Sequence, residues 1–91
     1  MAGVAALILK IMPLSLDVSL KEIQAKAQVS LERAGAMNIS FNTREIAFGL
    51  KALIIKLAWP ESNDTDKAEN AVSSIEGVSS VTIEDYRRAF G

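Results

Sequence analysis

The sequence predicts an α+β fold in which four strands and two helices follow one another in the order βαββαβ. Three observations predict this fold class. Short apolar stretches end at proline, two other segments carry apolar residues at helical spacing, and the last segment alternates apolar with polar residues. At 91 residues, the chain is expected to form a single domain over residues 1–91 with one hydrophobic core.

The composition excludes several classes of site. There are no cysteines and no histidines, so disulfides, the common zinc sites and the usual general acid–base side chain are excluded. Ten basic and eleven acidic residues give a net charge of −1, which argues against direct binding of nucleic acid. No stretch approaches the roughly 18–20 apolar residues of a membrane span. We expect a soluble, cytoplasmic protein that binds no cofactor, metal or membrane.

The first strand and helix are marked by their ends. Gly3–Met12 is apolar and is closed by Pro13, which favours a strand. The sequence "SLKE" at 19–22 predicts a capping box, in which Ser19 caps the helix and Glu22 reaches back to it. Gly35 is expected to end this helix. Its predicted inner face consists of Leu20, Ile23, Ala27, Leu31 and Ala34.

The second half of the chain contains the same kinds of strand and helix-end signals. Ile39 and Phe41 alternate with polar residues before the charged "TRE", and a long apolar run follows over 50–59, which predicts two strands joined by a hairpin or short loop. Asp64 or Thr65 is expected to cap a second helix that Gly77 ends. A final strand over 78–86 would leave "RRAFG" as a tail. The second helix is predicted to face the core with Ala68, Ala71, Val72 and Ile75.

Strand composition predicts the order of the sheet. Strands one and three are the most apolar, so they should lie inside, while strands two and four carry polar residues at about every second position and should form the edges. With right-handed crossovers, the result is an antiparallel sheet of order 4-1-3-2 with both helices on one face, the ferredoxin-like arrangement. The predicted core positions are Leu7, Leu9, Ile11, Leu53, Ile55, Leu57 and Trp59.

The other face of the sheet combines lysines with apolar residues. Lys10 and Lys56 share this face with Ile8 and Ile54, beside alanines 6, 52 and 58. The face is either a partly apolar surface or a docking surface.

No set of residues predicts catalysis. The acidic residues suit helix caps and solvated surfaces, and no glycine-rich phosphate loop is present, so we do not expect an enzyme. An RNA-recognition module would carry aromatic residues on its central strands, but strand one has none and strand three has only Trp59 at its end. A small-molecule-binding regulatory domain of the same fold, acting as a dimer, remains an alternative function.

Two features are not required by core packing. In "AFG", Gly49 would allow a backbone geometry that directs Phe48 away from the sheet, although Phe48 is alternatively a ring at the edge of the core. Arg87 and Arg88 are adjacent permanent cations beside Tyr86 and Phe90. They form either a solvated tail or part of a binding site.

Together, "EIAFGLKALIIKL" and "SSIEGVSSVTIEDYRR" resemble the archaeal form of translation elongation factor 1-beta, and the similarity extends over essentially the whole chain. The resemblance implies a guanine-nucleotide exchange factor that binds the GDP-bound and nucleotide-free states of the GTPase elongation factor 1-alpha, as a monomer or weak oligomer. In that family a loop aromatic and a basic residue near the C-terminus engage the GTPase and disturb its magnesium and phosphate region.

Carried over by position, the aromatic falls on Phe48, beside Gly49. The basic residue falls on Arg88, or on Arg87 one place earlier. Eukaryotic relatives have lysine near this point, and arginine, with its planar fork, is a different group at a tight site.

Overall fold

The computed structural model describes residues 3–88. The predicted order βαββαβ is confirmed. Positions 89–91, which include Phe90 of the predicted tail, lie outside the described residues. The elements are β1 (Val4–Pro13), α1 (Leu20–Ala34), β2 (Met37–Ala47), β3 (Leu50–Pro60), α2 (Thr65–Ser73) and β4 (Val78–Arg88).

The four strands form one antiparallel sheet of order β2-β3-β1-β4. This is the predicted order 4-1-3-2 counted from the other edge, so the ferredoxin-like fold is confirmed. The apolar strands β1 and β3 pair with each other in the centre, from Val4 opposite Pro60 to Ile11 opposite Leu53. The more polar β2 and β4 pair along their outer sides. The edge positions therefore go to the strands with the least apolar surface to bury.

The core lies between one face of the sheet and the two helices. Fully burying one leucine or isoleucine side chain contributes about 1.5–3 kcal/mol, so this layer is the main source of stability. Every predicted core position of the sheet is buried, and the helices contribute a second set of buried side chains. The helical set consists of Ile23, Ala27, Leu31, Ala68 and Val72.

Helix α1 begins and ends at the predicted residues, although among the hydrogen bonds of the described residues only the Ser19 half of the predicted capping box is found. The Ser19 hydroxyl oxygen accepts a hydrogen bond from the backbone N–H of Glu22 at 3.3 Å, which satisfies one of the unpaired donors of the first turn. Gly35 has a left-handed φ of 110°, and the N–H of Ala36 donates to the carbonyl of Leu31 at 2.9 Å. This is the glycine-dependent helix end that the sequence predicts.

Helix α2 differs from the prediction at both ends. Asp64 occupies the capping position, but its side chain makes no capping hydrogen bond. The helix ends at Ser73, before Gly77, so the prediction that Gly77 ends it is wrong. Gly77 instead has φ of 96° at the entry to β4, where its carbonyl accepts from the N–H of Leu14 at 2.9 Å. Neither helix of the described chain is long and apolar enough to cross a membrane.

Trp59 ties the end of β3 to the end of α1. Its indole N–H donates to the carbonyl of Asn63 at 3.2 Å, and the Asn63 amide donates to the carbonyl of Ala34 at 3.4 Å. These bonds satisfy polar groups beside the core. The loop after β3 is therefore held at both of its ends, which fixes the surroundings of Glu61.

Candidate functional site

The β2–β3 connection is a two-residue turn made of Phe48 and Gly49. Ala47 pairs with Leu50 across the turn, which confirms a hairpin here. Phe48 has φ of 53° and Gly49 has φ of 80°, and positive φ at both central residues is characteristic of a type I′ turn. Asparagine is the usual residue at the first position, because a bulky side chain at positive φ is strained by about 1–3 kcal/mol.

The Phe48 side chain is fully exposed, with a relative accessibility of 100%. The structure therefore places this ring in solvent and not at the edge of the core. Neither packing nor local backbone preference favours phenylalanine at this position. A bulky residue that is both strained and exposed is a candidate for a functional contact.

Two further apolar side chains lie at the same end of the sheet. Leu14 is 65% exposed and Leu16 is 66% exposed, in the loop after β1. Leu16 lines a small cleft with Gly49 and Leu50, so this loop and the turn are neighbours. We call Leu14, Leu16, Phe48 and Gly49 the apolar end. Neither leucine is predicted from the sequence as a site residue; their only signal is that two large apolar residues lie between Pro13 and Asp17 in a loop.

Arg87 and Arg88 belong to a strand. The prediction that the last strand ends at 86 and that both arginines lie in a tail is wrong. Ala6 pairs with Arg87 and Ala5 pairs with Arg88, because β1 starts early enough to provide partners for both. Consecutive residues of a strand point to opposite faces, so the two arginines lie on different sides of the sheet.

Each arginine has its own acidic neighbour. Arg87 Nε lies 2.9 Å from Asp85 Oδ2, whereas Arg88 Nε lies 3.8 Å from Glu61 Oε1. Both arginine side chains are more than two-thirds exposed, so solvent screens these pairs strongly. The longer separation leaves Arg88 the more weakly held of the two cations. We call Arg87, Arg88 and Glu61 the arginine end.

The structure does not bring Phe48 and the arginines together. Phe48 precedes the first residue of β3, while Arg88 is opposite Ala5, which pairs with Trp59 near the last residue of β3. At a rise of about 3.3 Å per residue, the two ends of the eleven-residue β3 are about 33 Å apart. The molecule is elongated accordingly, with extents of 44 × 22 × 18 Å. The predicted site residues form two separate surfaces.

The open face of the sheet is crossed by an ion pair. Arg44 donates two hydrogen bonds to the Glu84 carboxylate, at 2.7 and 2.9 Å. These hydrogen bonds lower the pKa of Glu84 and raise that of Arg44. Ile54 is only 4% exposed and Ala52 is fully buried, although the alternation predicts both on the open face. Ala52 and Ile54 are therefore covered by the chain itself, whereas Ile8 and Ala58 are half-buried and Ala6 is exposed.

Within residues 3–88, the candidate binding residues are exposed on the surface. The apolar end lies at one end of the sheet, and the two arginines lie at the other. Exposed aromatic and arginine side chains are typical anchors of protein interfaces. The fold and these surfaces define a small α+β domain with two exposed candidate binding surfaces.

Comparison with known proteins identifies the family. The model of the EF-1 guanine nucleotide exchange domain matches residues 6–89. Proteins named Elongation factor 1-beta are similar over almost the whole chain: 37% identity in Halobacterium salinarum, covering 97% of this chain and 99% of the relative, and 38% in Methanosarcina barkeri, with the same coverage. The Staphylothermus marinus protein is 34% identical and covers 89% and 91%. This chain belongs to the EF-1 guanine nucleotide exchange domain family, which confirms the resemblance.

Proposed function

We propose that this chain acts as a single exchange domain that promotes replacement of GDP by GTP on elongation factor 1-alpha. The family match over residues 6–89 supports this role. The observation that carries the proposal beyond the family is the pair of exposed surfaces, apolar and cationic, at opposite ends of one sheet. A partner large enough to contact both ends is a protein and not a small molecule.

Exchange requires no covalent chemistry. A GTPase holds GDP through its phosphate loop and a magnesium ion. If the factor binds the nucleotide-free GTPase more tightly than the GDP-bound form, it must lower the affinity for GDP by the same factor. In the cytoplasm, GTP then reloads the GTPase and releases the factor. The factor therefore acts by differential binding.

The two ends suit two different tasks. The Phe48 ring has no packing in the free domain, so it can enter an apolar pocket of the partner without breaking existing contacts. Arg88 carries a permanent charge and can donate to carboxylate or phosphate oxygens. We assign the contact near the magnesium and phosphate region to the arginine end. The apolar end, about 33 Å away along β3, then anchors the domain on another part of the GTPase.

The test is release of a fluorescent GDP analogue from purified elongation factor 1-alpha. Adding this domain together with excess unlabelled GDP should speed release in a saturable manner. The same titration at several magnesium concentrations tests the assignment of the arginine end. If the domain acts by weakening magnesium binding, its acceleration of GDP release should decrease as the magnesium concentration rises. An unchanged release rate at saturating domain concentration would refute the proposed function.

A further inference from the structure

Glu61 lies beside Arg88 on a fixed piece of backbone. It follows β3 directly, and its N–H donates to the carbonyl of Gly3 at 3.0 Å. Two residues earlier and two residues later, Trp59 and Asn63 form the hydrogen bonds that tie this loop to α1. The Glu61 carboxylate therefore extends from a backbone that is held on both sides.

The carboxylate is partly withdrawn from solvent. The Glu61 side chain is 21% exposed, compared with 71% for Arg88. Its Oε2 atom is buried and accepts no hydrogen bond from the residues that the structure describes. Its Oε1 atom lies 3.8 Å from Arg88 Nε. A poorly solvated carboxylate favours a cation nearby, so Glu61 draws the guanidinium towards this side of the sheet.

Gly3 makes this position possible. A Cβ atom at residue 3 would lie 3.0 Å from Glu61 Oε2, which is too close for an ordinary contact. The absence of a side chain at Gly3 thus leaves room for the carboxylate beside β1. The close approach of Gly3 to the Glu61 side chain therefore helps to set the position of the carboxylate relative to Arg88.

We propose that Glu61 is a positioning residue for Arg88 in the exchange reaction. Its carboxylate attracts the guanidinium from the Nε edge, at 3.8 Å, so the two terminal nitrogens remain for anionic oxygens of the GTPase. Restricting this flexible side chain in advance reduces the ordering that binding requires. The inference rests on the proposed function, because it assumes that Arg88 contacts the partner.

The first experiment compares Glu61→Gln in two backgrounds. With Arg88 present, this substitution should lower the exchange activity by about two- to tenfold, the range of weak to moderate coupling between neighbouring residues. In an Arg88→Ala background it should have no further effect. Glu32→Gln is the matched control, because Glu32 is an exposed glutamate of α1 whose side chain hydrogen-bonds to Gln28. It makes the same chemical change and should leave exchange unchanged.

A second variant leaves the acidic group in place. Gly3→Ala introduces a Cβ that must displace the end of a flexible side chain, and such a shift is inexpensive. It should therefore lower exchange in the same direction as Glu61→Gln, with little change in the melting temperature. Equal effects of Glu61→Gln with and without Arg88 would overturn the positioning role, since the glutamate would then act independently of the arginine.

A third measurement needs no partner. The NMR resonance of the Arg88 Nε–H group should shift in both Glu61→Gln and Gly3→Ala, and the Arg87 resonance should shift less. An Arg88 signal that is unchanged in both variants would overturn the contact itself. If the wild-type domain failed to accelerate GDP release although this signal responded, the proposed function would fail while the contact between Glu61 and Arg88 stood.

Discussion

Arg44 and Glu84 come from the two opposite edges of the sheet, and yet they share two hydrogen bonds of 2.7 and 2.9 Å. With neighbouring strands about 4.8 Å apart, the edge strands β2 and β4 are separated by about 14 Å. The side chains therefore reach across β3 and β1 to meet. An irregularity in β4 next to Glu84 assists this, because a bulge redirects side chains.

Breaking this pair should uncover the open face. Arg44→Ala is expected to lower the melting temperature slightly and to increase binding of a hydrophobic dye, because the open face loses the paired side chains that cross it. Glu84→Gln should act in the same direction, and the double substitution should cost less than the sum of the two. Arg33→Ala, on the exposed surface of α1, is the control. Additive effects of Arg44→Ala and Glu84→Gln would show that the two side chains act separately.

The same pair predicts a dependence of stability on pH. Hydrogen bonding to Arg44 lowers the pKa of Glu84 in the folded protein below its ordinary value of 4.5. A lowered pKa means that the contribution to stability is complete above about pH 4.5 and is lost as the pH falls through the folded-state value. The difference in melting temperature between wild type and Glu84→Gln should therefore be constant near neutral pH and shrink in acid. A difference that grows on acidification would contradict this assignment.

Replacing Phe48 should separate stability from exchange. Phe48→Asn places a residue suited to positive φ in the type I′ turn, so we expect stability to rise by about 1 kcal/mol. The same change removes the exposed ring and should weaken exchange by about tenfold or more, as for an interface anchor. Denaturant unfolding and GDP release measure the two effects. Phe48→Tyr keeps an aromatic ring and should retain most activity; wild-type exchange by Phe48→Asn would show that the ring makes no contact.

The two arginines should differ in their importance for exchange. Arg88→Ala is expected to slow GDP release more than Arg87→Ala, because Arg87 is held at 2.9 Å by Asp85 and lies on the other face of the sheet. Arg88→Lys keeps the charge but loses the planar fork, so its rate should fall between those of wild type and Arg88→Ala. Neither substitution should change the melting temperature much, since both side chains are largely exposed. The reverse ranking would assign the exchange contact to Arg87.

Patterns of alternation predicted most of the fold. Leu53 and Leu57 share a face because a strand repeats every two residues, and the same rule identified the central strands and hence the sheet order. The rule was less informative for Ile54, which lies on the open face but is buried. The ion pair between Arg44 and Glu84 that crosses this face joins residues 40 positions apart in sequence, and no local pattern reveals such a contact.

The sequence predicts which residues belong to the candidate site, but it does not predict how they are arranged in space. The exposure of Phe48 followed from its place beside Gly49, outside the regular alternation of β3. Arg87 and Arg88 follow the predicted alternation of the last strand, so the sequence predicts a tail there, but an edge strand accepts charged residues and β1 pairs with both. For Glu61 the sequence predicts only a cap or a solvated position, because its proximity to Gly3 and to Arg88 is a tertiary contact.

The unbroken β3 strand has a consequence for what the domain can recognise. A continuous four-stranded sheet does not bend easily, so the distance between Phe48 and Arg88 is essentially fixed. If both ends bind, the two contact points are held at a nearly constant separation, comparable to the β3 length of about 33 Å. The domain then selects the GTPase conformation whose two receiving surfaces match that length, and a conformation with another spacing is held by one end only and more weakly.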